Sequence, residues 1–343
     1  MKIPRDLQML LIVYGSFSIL PAFLHSNQSI MHILIMIMIW AIVASHWGFI
    51  IGHAGIFTFG NVAIYIIGAY ASAILTIQLG ISPWLGILAG GIIAAGVGLG
   101  ISLSCFRLKE AYVALLTFAL HLVLKPFLQT DVGRAIGTGG TEGLLSIPPL
   151  SVGGYTFSSL EPIPWFYVAL GVSLASLFAI YKIIHSPWGL AFTAIRDSET
   201  LAESAGVDVY RYKAMVFGIT SFFTGSAGAL CAHYTGVLSP RMLGLDLFLL
   251  LMVMLVIGGM RAFPGPLLGT IIVAFADMGL RGVGVYRFVI FGAVVVALVV
   301  IAPRGIMGVL FPTGRMGLAE QFGHFVRQLF TRQHSKKSGK ELL

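Results

Sequence analysis

Charge is what this sequence lacks. Only 10% of its 343 residues are Asp, Glu, Lys or Arg, where a soluble globular domain carries about a quarter. The deficit is concentrated, because residues 7–106 contain none of the four. At ordinary usage a run that long has a probability of about 10⁻¹³. Such a stretch excludes a water-facing surface. A bilayer accounts for it, since a charge at the bilayer centre costs about 2.5 to 3.5 kcal/mol even on insertion scales.

Other absences exclude further classes. The two cysteines, Cys105 and Cys231, sit far apart in apolar segments, which suits packing rather than a disulfide or a metal pair. His25, His32, His46 and His53 form no metal-ligand constellation. There is no metalloprotease helix, no Gly-x-Ser-x-Gly elbow and no buried acid pair, so the chain does not read as an enzyme. No Gly-x-x-x-x-Gly-Lys-[Ser/Thr] loop occurs, so the chain has no phosphate cradle and no cofactor of its own. No A-x-A cleavage site follows the first apolar run, and 7–24 therefore reads as a retained span. No acidic residue lies mid-run either. The nearest, Glu110, Asp246 and Asp277, are at edges, which removes the coupling carboxylate of a secondary transporter.

What is present is apolar sequence in blocks of spanning length. A spanning helix needs about 20 mostly apolar residues. Candidate blocks fall near 7–24, 30–51, 54–78, 83–106, 110–128, 165–184, 214–236, 245–260, 266–280 and 286–302. The expected fold is all-α, a polytopic transmembrane helix bundle of about 10 segments. The number could fall to 8, because the eighth and ninth blocks are short and a piece such as 266–280 can be re-entrant. Pro264-Gly265-Pro266 forbids one continuous helix across them. Placing both termini in the cytoplasm puts 16 Lys and Arg inside and 5 outside, as the positive-inside rule requires. The net charge of +8 is this same distribution and calls for no nucleic acid.

Residues 1–313 thus form a membrane domain with an extracytoplasmic loop at 129–164, rich in Gly, Pro, Ser and Thr, and a cytoplasmic loop at 182–213. Residues 314–343 form a cytoplasmic basic tail near anionic lipid headgroups. In the inner loop, Ser186-Pro187 reads as a helix start and Gly206 as a stop. Thr200-Leu201-Ala202-Glu203 also fits a capping box, so the loop is one helix or two with a bend at 196–198. Its small residues, Ala191, Ala194, Ala202 and Ala205, beside charged Arg196, Asp197, Glu199 and Glu203, suit a groove of another protein or simply a solvated connection.

Polar groups inside a membrane are expensive and so are candidates for a solute path. They cluster at Thr58, Gly60, Asn61 and Tyr65, with Thr117 and His121 sharing a face by their i, i+4 spacing. Gly52, Gly60 and Gly68 either break a helix and offer backbone amides to a solute or allow close helix packing. His121 is either a ligand or a group bonded within the bundle. In the outer loop, Gly139, Gly140 and Thr141 touch a docked protein, gate the path, or make a structural turn.

The stretch from Trp188-Gly-Leu-Ala-Phe-Thr-Ala-Ile-Arg-Asp-Ser-Glu to Tyr210-Arg-Tyr-Lys213 closely resembles the cytoplasmic loop of permease subunits of the branched-chain amino acid ABC importers, the LivM-like family. Gly52-His-Ala-Gly55, Thr58-Phe-Gly60 and Gly68-Ala-Tyr70 resemble its early glycine-rich span. Thr138-Gly-Gly-Thr-Glu-Gly-Leu144 resembles its outer TGG loop, Ile257-Gly-Gly-Met-Arg-Ala-Phe-Pro-Gly-Pro-Leu-Leu-Gly269 its IGG…PGPxxG turn, and Ala302-Pro-Arg-Gly-Ile-Met-Gly308 its closing segment. Together these run in order across residues 30–310. The resemblance implies a membrane-spanning permease of a branched-chain amino acid or related small polar solute; relatives also serve urea and short amides. An ATP-independent secondary transporter or channel is the alternative of a different class. It implies that Ile195, Arg196, Asp197, Ser198, Glu199, Ala202, Glu203 and Gly206 couple to an ATPase. It also implies two ABC ATPase subunits that bind the ATP and Mg, a second permease subunit (related or a second copy), an extracytoplasmic solute-binding protein, and a bacterial or archaeal inner membrane.

Overall fold

The structure is a computed structural model, and it describes residues 4–24, 27–105, 110–158, 161–301 and 305–310. The basic tail at 314–343, the cations Lys2, Arg107 and Lys109, residues 302–304, and the Cys105 and Glu110 side chains lie outside the described residues.

The described chain is helical almost throughout. α1 (Arg5–Leu24) is followed by α2 (Gln28–Gly48), which continues through a π-helical turn, Phe49–His53. Next come α3 (Asn61–Leu79), α4 (Pro83–Cys105), α5 (Glu110–Gln129) and the short α6 (Asp131–Ala135). α7 (Pro162–Ile184) leads into the paired α8 (Pro187–Asp197) and α9 (Glu199–Ser204), and these into the long α10 (Val209–Thr235). α11 (Leu245–Gly258), α12 (Gly265–Leu280), α13 (Tyr286–Ile301) and α14 (Gly305–Leu310) complete the set. Eight helices are long and apolar enough to cross a membrane, with α11 and α13 as shorter apolar helices.

Local signals explain most boundaries. Asn27 caps α2 by accepting from the Ile30 amide, Ser186 caps α8 ahead of Pro187, and Asp208 caps α10. Gly80 and Gly236 end α3 and α10 with positive φ, as helix-terminating glycines do. The third span departs from expectation. A helix was expected over 54–78, but residues 54–60 are non-helical and α3 begins at Asn61. The Trp47 indole donates to the Thr58 carbonyl at 2.7 Å, and the Ala54 and Ile56 amides donate to the Phe49 and Ile50 carbonyls, so this stretch folds back against the end of α2.

Two ends of the bundle are recognisable from their contacts. At one, Arg196 Nη1 donates to the Gly52 carbonyl at 2.9 Å and His185 Nε2 lies 3.7 Å from the Asp6 carboxylate. The loop at 182–213 and the start of α1 therefore share that end. At the other, Gln28, His32, Pro162, Tyr234 and Arg281 line one cavity. There α6 and two short β pairs make a cap: β1 (Leu144–Leu145) runs antiparallel to β4 (Val237–Leu238), and β2 (Ser151–Val152) to β3 (Tyr155–Thr156). Trp84 Nε1 ties the cap to α4 by donating to the Ser151 carbonyl at 2.9 Å. Next to it, the Tyr155 hydroxyl donates to the Glu161 carboxylate, which holds the phenol proton above its ordinary range.

Lipid tails are as apolar as leucine, so helices in a bilayer gain little from hydrophobicity alone and associate through close packing and polar contacts. Both operate here. α3, α4 and α10 meet along small residues, and a Cβ on Gly68 would overlap the Gly225 backbone. Polar pairs add fixed cross-links. Tyr14 bonds Ser173 at 2.5 Å, His46 Nε2 bonds Ser176 at 2.7 Å, and His233 Nε2 bonds Ser72 at 2.8 Å.

Candidate functional site

Two places gather the residues singled out in the sequence. The first is the interrupted start of α3. Thr58 is buried, and its hydroxyl accepts from the Gly60 amide at 3.3 Å while its carbonyl is held by Trp47. The Phe59 amide donates to the Thr117 hydroxyl at 2.9 Å, which itself donates to the Val113 carbonyl at 2.8 Å. Gly60 faces Thr117 closely enough that a Cβ there would stand 3.3 Å from it. Thr58, Gly60 and Thr117 are thus joined, and their hydroxyls hold backbone. Trp47→Phe keeps the ring packing but removes the donor. It is expected to lower stability by about 1–3 kcal/mol, seen as a reduced Tm of the solubilised protein. An unchanged Tm would mean that residues 54–60 are held by other contacts.

His121 sits one turn beyond Thr117 and is fully buried. Its ring lies 5.4 Å from that of Phe248 and 6.2 Å from that of Phe118, and neither nitrogen has a hydrogen-bond partner among the described residues. Burial of an unpartnered polar group costs about 1–3 kcal/mol. Phe59, Phe118 and Phe248 form a contiguous aromatic group with Trp47 on its edge. No sequence signal joined these four rings, which come from α2, the 54–60 stretch, α5 and α11. Asn61 is buried in the first turn of α3. Tyr65 stands apart: it is buried against α10, where a Cβ on Gly228 would overlap its carbonyl. Gly52 and Gly68 are packing sites, since a Cβ on Gly52 would overlap the Met260 carbonyl.

The second place is the loop of α8 and α9. It is two helices, broken at Ser198, whose extended backbone lets its hydroxyl accept from the Leu201 amide at 3.4 Å. Ser198, and not Thr200, is the cap. Ile195, Ala202 and Val209 pack into a small core of their own, with Val207 and Tyr212 against it. Ile195 and Ala202 therefore face inward and shape the loop. Gly206 turns the chain out of α9 at φ +84°. Asp197, Glu199 and Glu203 are exposed, and so is Leu201, at 71%. Leucine at that exposure beside three carboxylates is the feature that sequence reasoning missed, although its position inside a charged loop was a visible signal.

The loop is braced to the bundle. Besides the Gly52 carbonyl, Arg196 bonds the Asp197 carboxylate at 2.9 Å, and Lys213 pairs with Glu199. Gly55, at φ +74°, leaves no room for a side chain, because a Cβ there would stand 2.6 Å from Arg196 Cγ. In the cap, Gly139 and Gly140 adopt positive φ, and a Cβ on Gly139 would overlap the Gly143 carbonyl. They make a tight turn that leaves Thr141 exposed.

The chain is 26% identical over 298 residues to the high-affinity branched-chain amino acid transport system permease protein LivM of Salmonella typhimurium, covering 81% of this chain and 69% of that one. It is 24% identical over 293 residues to LivH of the same organism, described in the same words, covering 78% and 91%. The ribose import permease protein RbsC of Haemophilus influenzae is 25% identical over 312 residues, covering 87% and 92%. No solved structure matches. A family model described as branched-chain amino acid transport system / permease component matches residues 29–303. That is well over half of the chain, and with the helical bundle it makes this a multi-pass membrane protein that belongs to the branched-chain amino acid transport system permease family.

Proposed function

We propose that this chain is the permease subunit of an ATP-binding cassette importer for a branched-chain amino acid or a related small net-neutral solute. The observation that carries the reading is the braced loop of α8 and α9, fixed to the bundle at Gly52 and presenting Leu201 among carboxylates to a partner. An apolar anchor ringed by charges suits a protein interface, where the anchor gives affinity and the charges set orientation. The occupant is an ATPase subunit, the reading supported by membership of a family of transport-system permease components. Asp197, Ser198, Glu199, Leu201 and Glu203 make the contact, while Ile195, Ala202 and Gly206 hold its shape and Arg196 transmits its movement to α2.

The same reading gives the rest of the assembly: two ATPases, a second permease, a solute-binding protein over the outer cap at Thr141, and an inner membrane with both termini cytoplasmic and ten segments. Urea or a short amide is the alternative solute within this type. The test is uptake into vesicles. The chain, reconstituted with the permease and ATPase subunits that co-purify with it and supplied with its solute-binding protein on the cap side, is expected to accumulate leucine only with ATP on the ATPase side. Accumulation by the chain alone under a proton or sodium gradient would establish an ATP-independent transporter instead.

A further inference from the structure

One interruption of the helices reaches into the bundle. Residues 54–60 lead into α3, and Phe59 from this stretch has its ring centroid 5.9 Å from that of Phe248 in the opening turns of α11, which itself follows a 3-10 turn at Pro240–Leu243. Non-helical backbone at membrane depth is tolerated only where it is buried in protein or lines a water-filled route. His121 is about 12 Å along α5 from its end at Gln129, at 1.5 Å per residue, which is near the middle of that helix.

The aromatic cluster is apolar apart from one group. Three other bundle histidines are tied through at least one nitrogen, His32 to Tyr234, His46 to Ser176, and His233 to Ser72 and the Pro148 carbonyl, while His53 Nδ1 and His46 Nδ1 are buried without a partner among the described residues. His121 has both nitrogens buried and unpartnered among the described residues. Thr117, one turn away on the same face, spends its proton on the Val113 carbonyl and accepts from the Phe59 amide, and makes no hydrogen bond to His121.

We propose that Phe59, Phe118 and Phe248 close over His121 as the gate of the solute path, and that His121 hydrogen-bonds the solute when the rings part. The proposal rests on the permease reading above and deepens it by naming the residues that meet the solute. A neutral imidazole offers one donor and one acceptor, which matches an amide or the paired charges of a zwitterion. The surrounding ring faces suit an aliphatic portion. In the structure the three phenylalanine rings are in contact with one another, and Phe118 and Phe248 with the imidazole.

His121→Phe replaces the imidazole by an apolar ring and removes the unpartnered atoms. In the permease–ATPase complex its Tm is expected to equal or exceed that of the wild type, while ATP-driven leucine uptake falls at least 10-fold in kcat and ATP hydrolysis persists. His121→Gln, which restores a donor and an acceptor, is expected to keep at least a third of the uptake. Phe248→Ala is expected to raise leucine efflux from preloaded vesicles without ATP at least 10-fold. Uptake by His121→Phe within twofold of wild type overturns the proposal, as does a parallel loss of Tm and uptake, or an unchanged leak in a folded Phe248→Ala protein. A wild-type complex without ATP-driven uptake defeats the permease reading; a transporting wild type with an equally active His121→Phe defeats the gate alone.

Discussion

Gly68→Val is expected to abolish the folded bundle, cutting the yield of monodisperse protein after detergent extraction by at least 10-fold. Gly68 lies where α3 crosses α10, and any Cβ there would occupy the space of the Gly225 backbone. The crowding continues into α4, where a Cβ on Gly90 would stand 2.5 Å from the Gly68 carbonyl. A flexible side chain can rotate away from an added methyl group, and such overpacking costs about 1–3 kcal/mol. Here the obstacle is main chain, so two helices must separate along their length and lose the contacts on both sides of the crossing. The loss should exceed about 4 kcal/mol, the range reserved for disruption of a core. Gly96→Val is the control, because nothing lies within 4 Å of a Cβ at that position in α4. Equal yields of the two variants would show that the crossing is not close-packed in the membrane.

Leu201→Glu is expected to leave the bundle intact and to disconnect it from ATP. The side chain is 71% exposed, so the isolated permease should keep its Tm. In the proposed complex with an ATPase, burial of a leucine would contribute about 1.5–3 kcal/mol, and an unpaired carboxylate in the same place would add a desolvation penalty. At about 1.4 kcal/mol per tenfold, ATPase retained through affinity purification should fall 10- to 100-fold, with uptake falling in step. Thr200→Ala, exposed one residue away, should change little. Full ATPase retention by Leu201→Glu would move the docking surface elsewhere on the chain.

The two sites were legible in the sequence to different degrees, for a physical reason. Hydropathy and caps are local, so the helical blocks, the Ser186-Pro187 start of α8 and the glycine stop after α9 could be read in advance. The division of that loop turned on whether Ser198 or Thr200 capped the second helix, a choice between two hydroxyls that only the fold makes. Ile195 and Ala202 read as surface because helical periodicity within 187–206 cannot reveal a partner such as Val209, supplied by the next helix. The interruption at 54–60 was half legible: the glycines left a broken helix open as one of two readings, but the stretch is as apolar as a span, and the bond from Trp47 to the Thr58 carbonyl that folds it back is a contact no local pattern reveals. His121 and Thr117 were found by their spacing. The phenylalanines around them converge from separate helices and had no common signal.

The π-helical turn at Phe49–His53 sets an angle. One more residue is fitted into that turn than an α-helix would hold, and in an α-helix each residue turns the following chain by about 100°. The Gly52 carbonyl faces Arg196 only in this phase. A chain one residue shorter here would keep every apolar side chain of α2 in its place and yet point that carbonyl about a quarter-turn away. Length within these five residues is therefore constrained as tightly as the glycine at 52, and variation here should consist of substitutions at the other four positions without insertions or deletions.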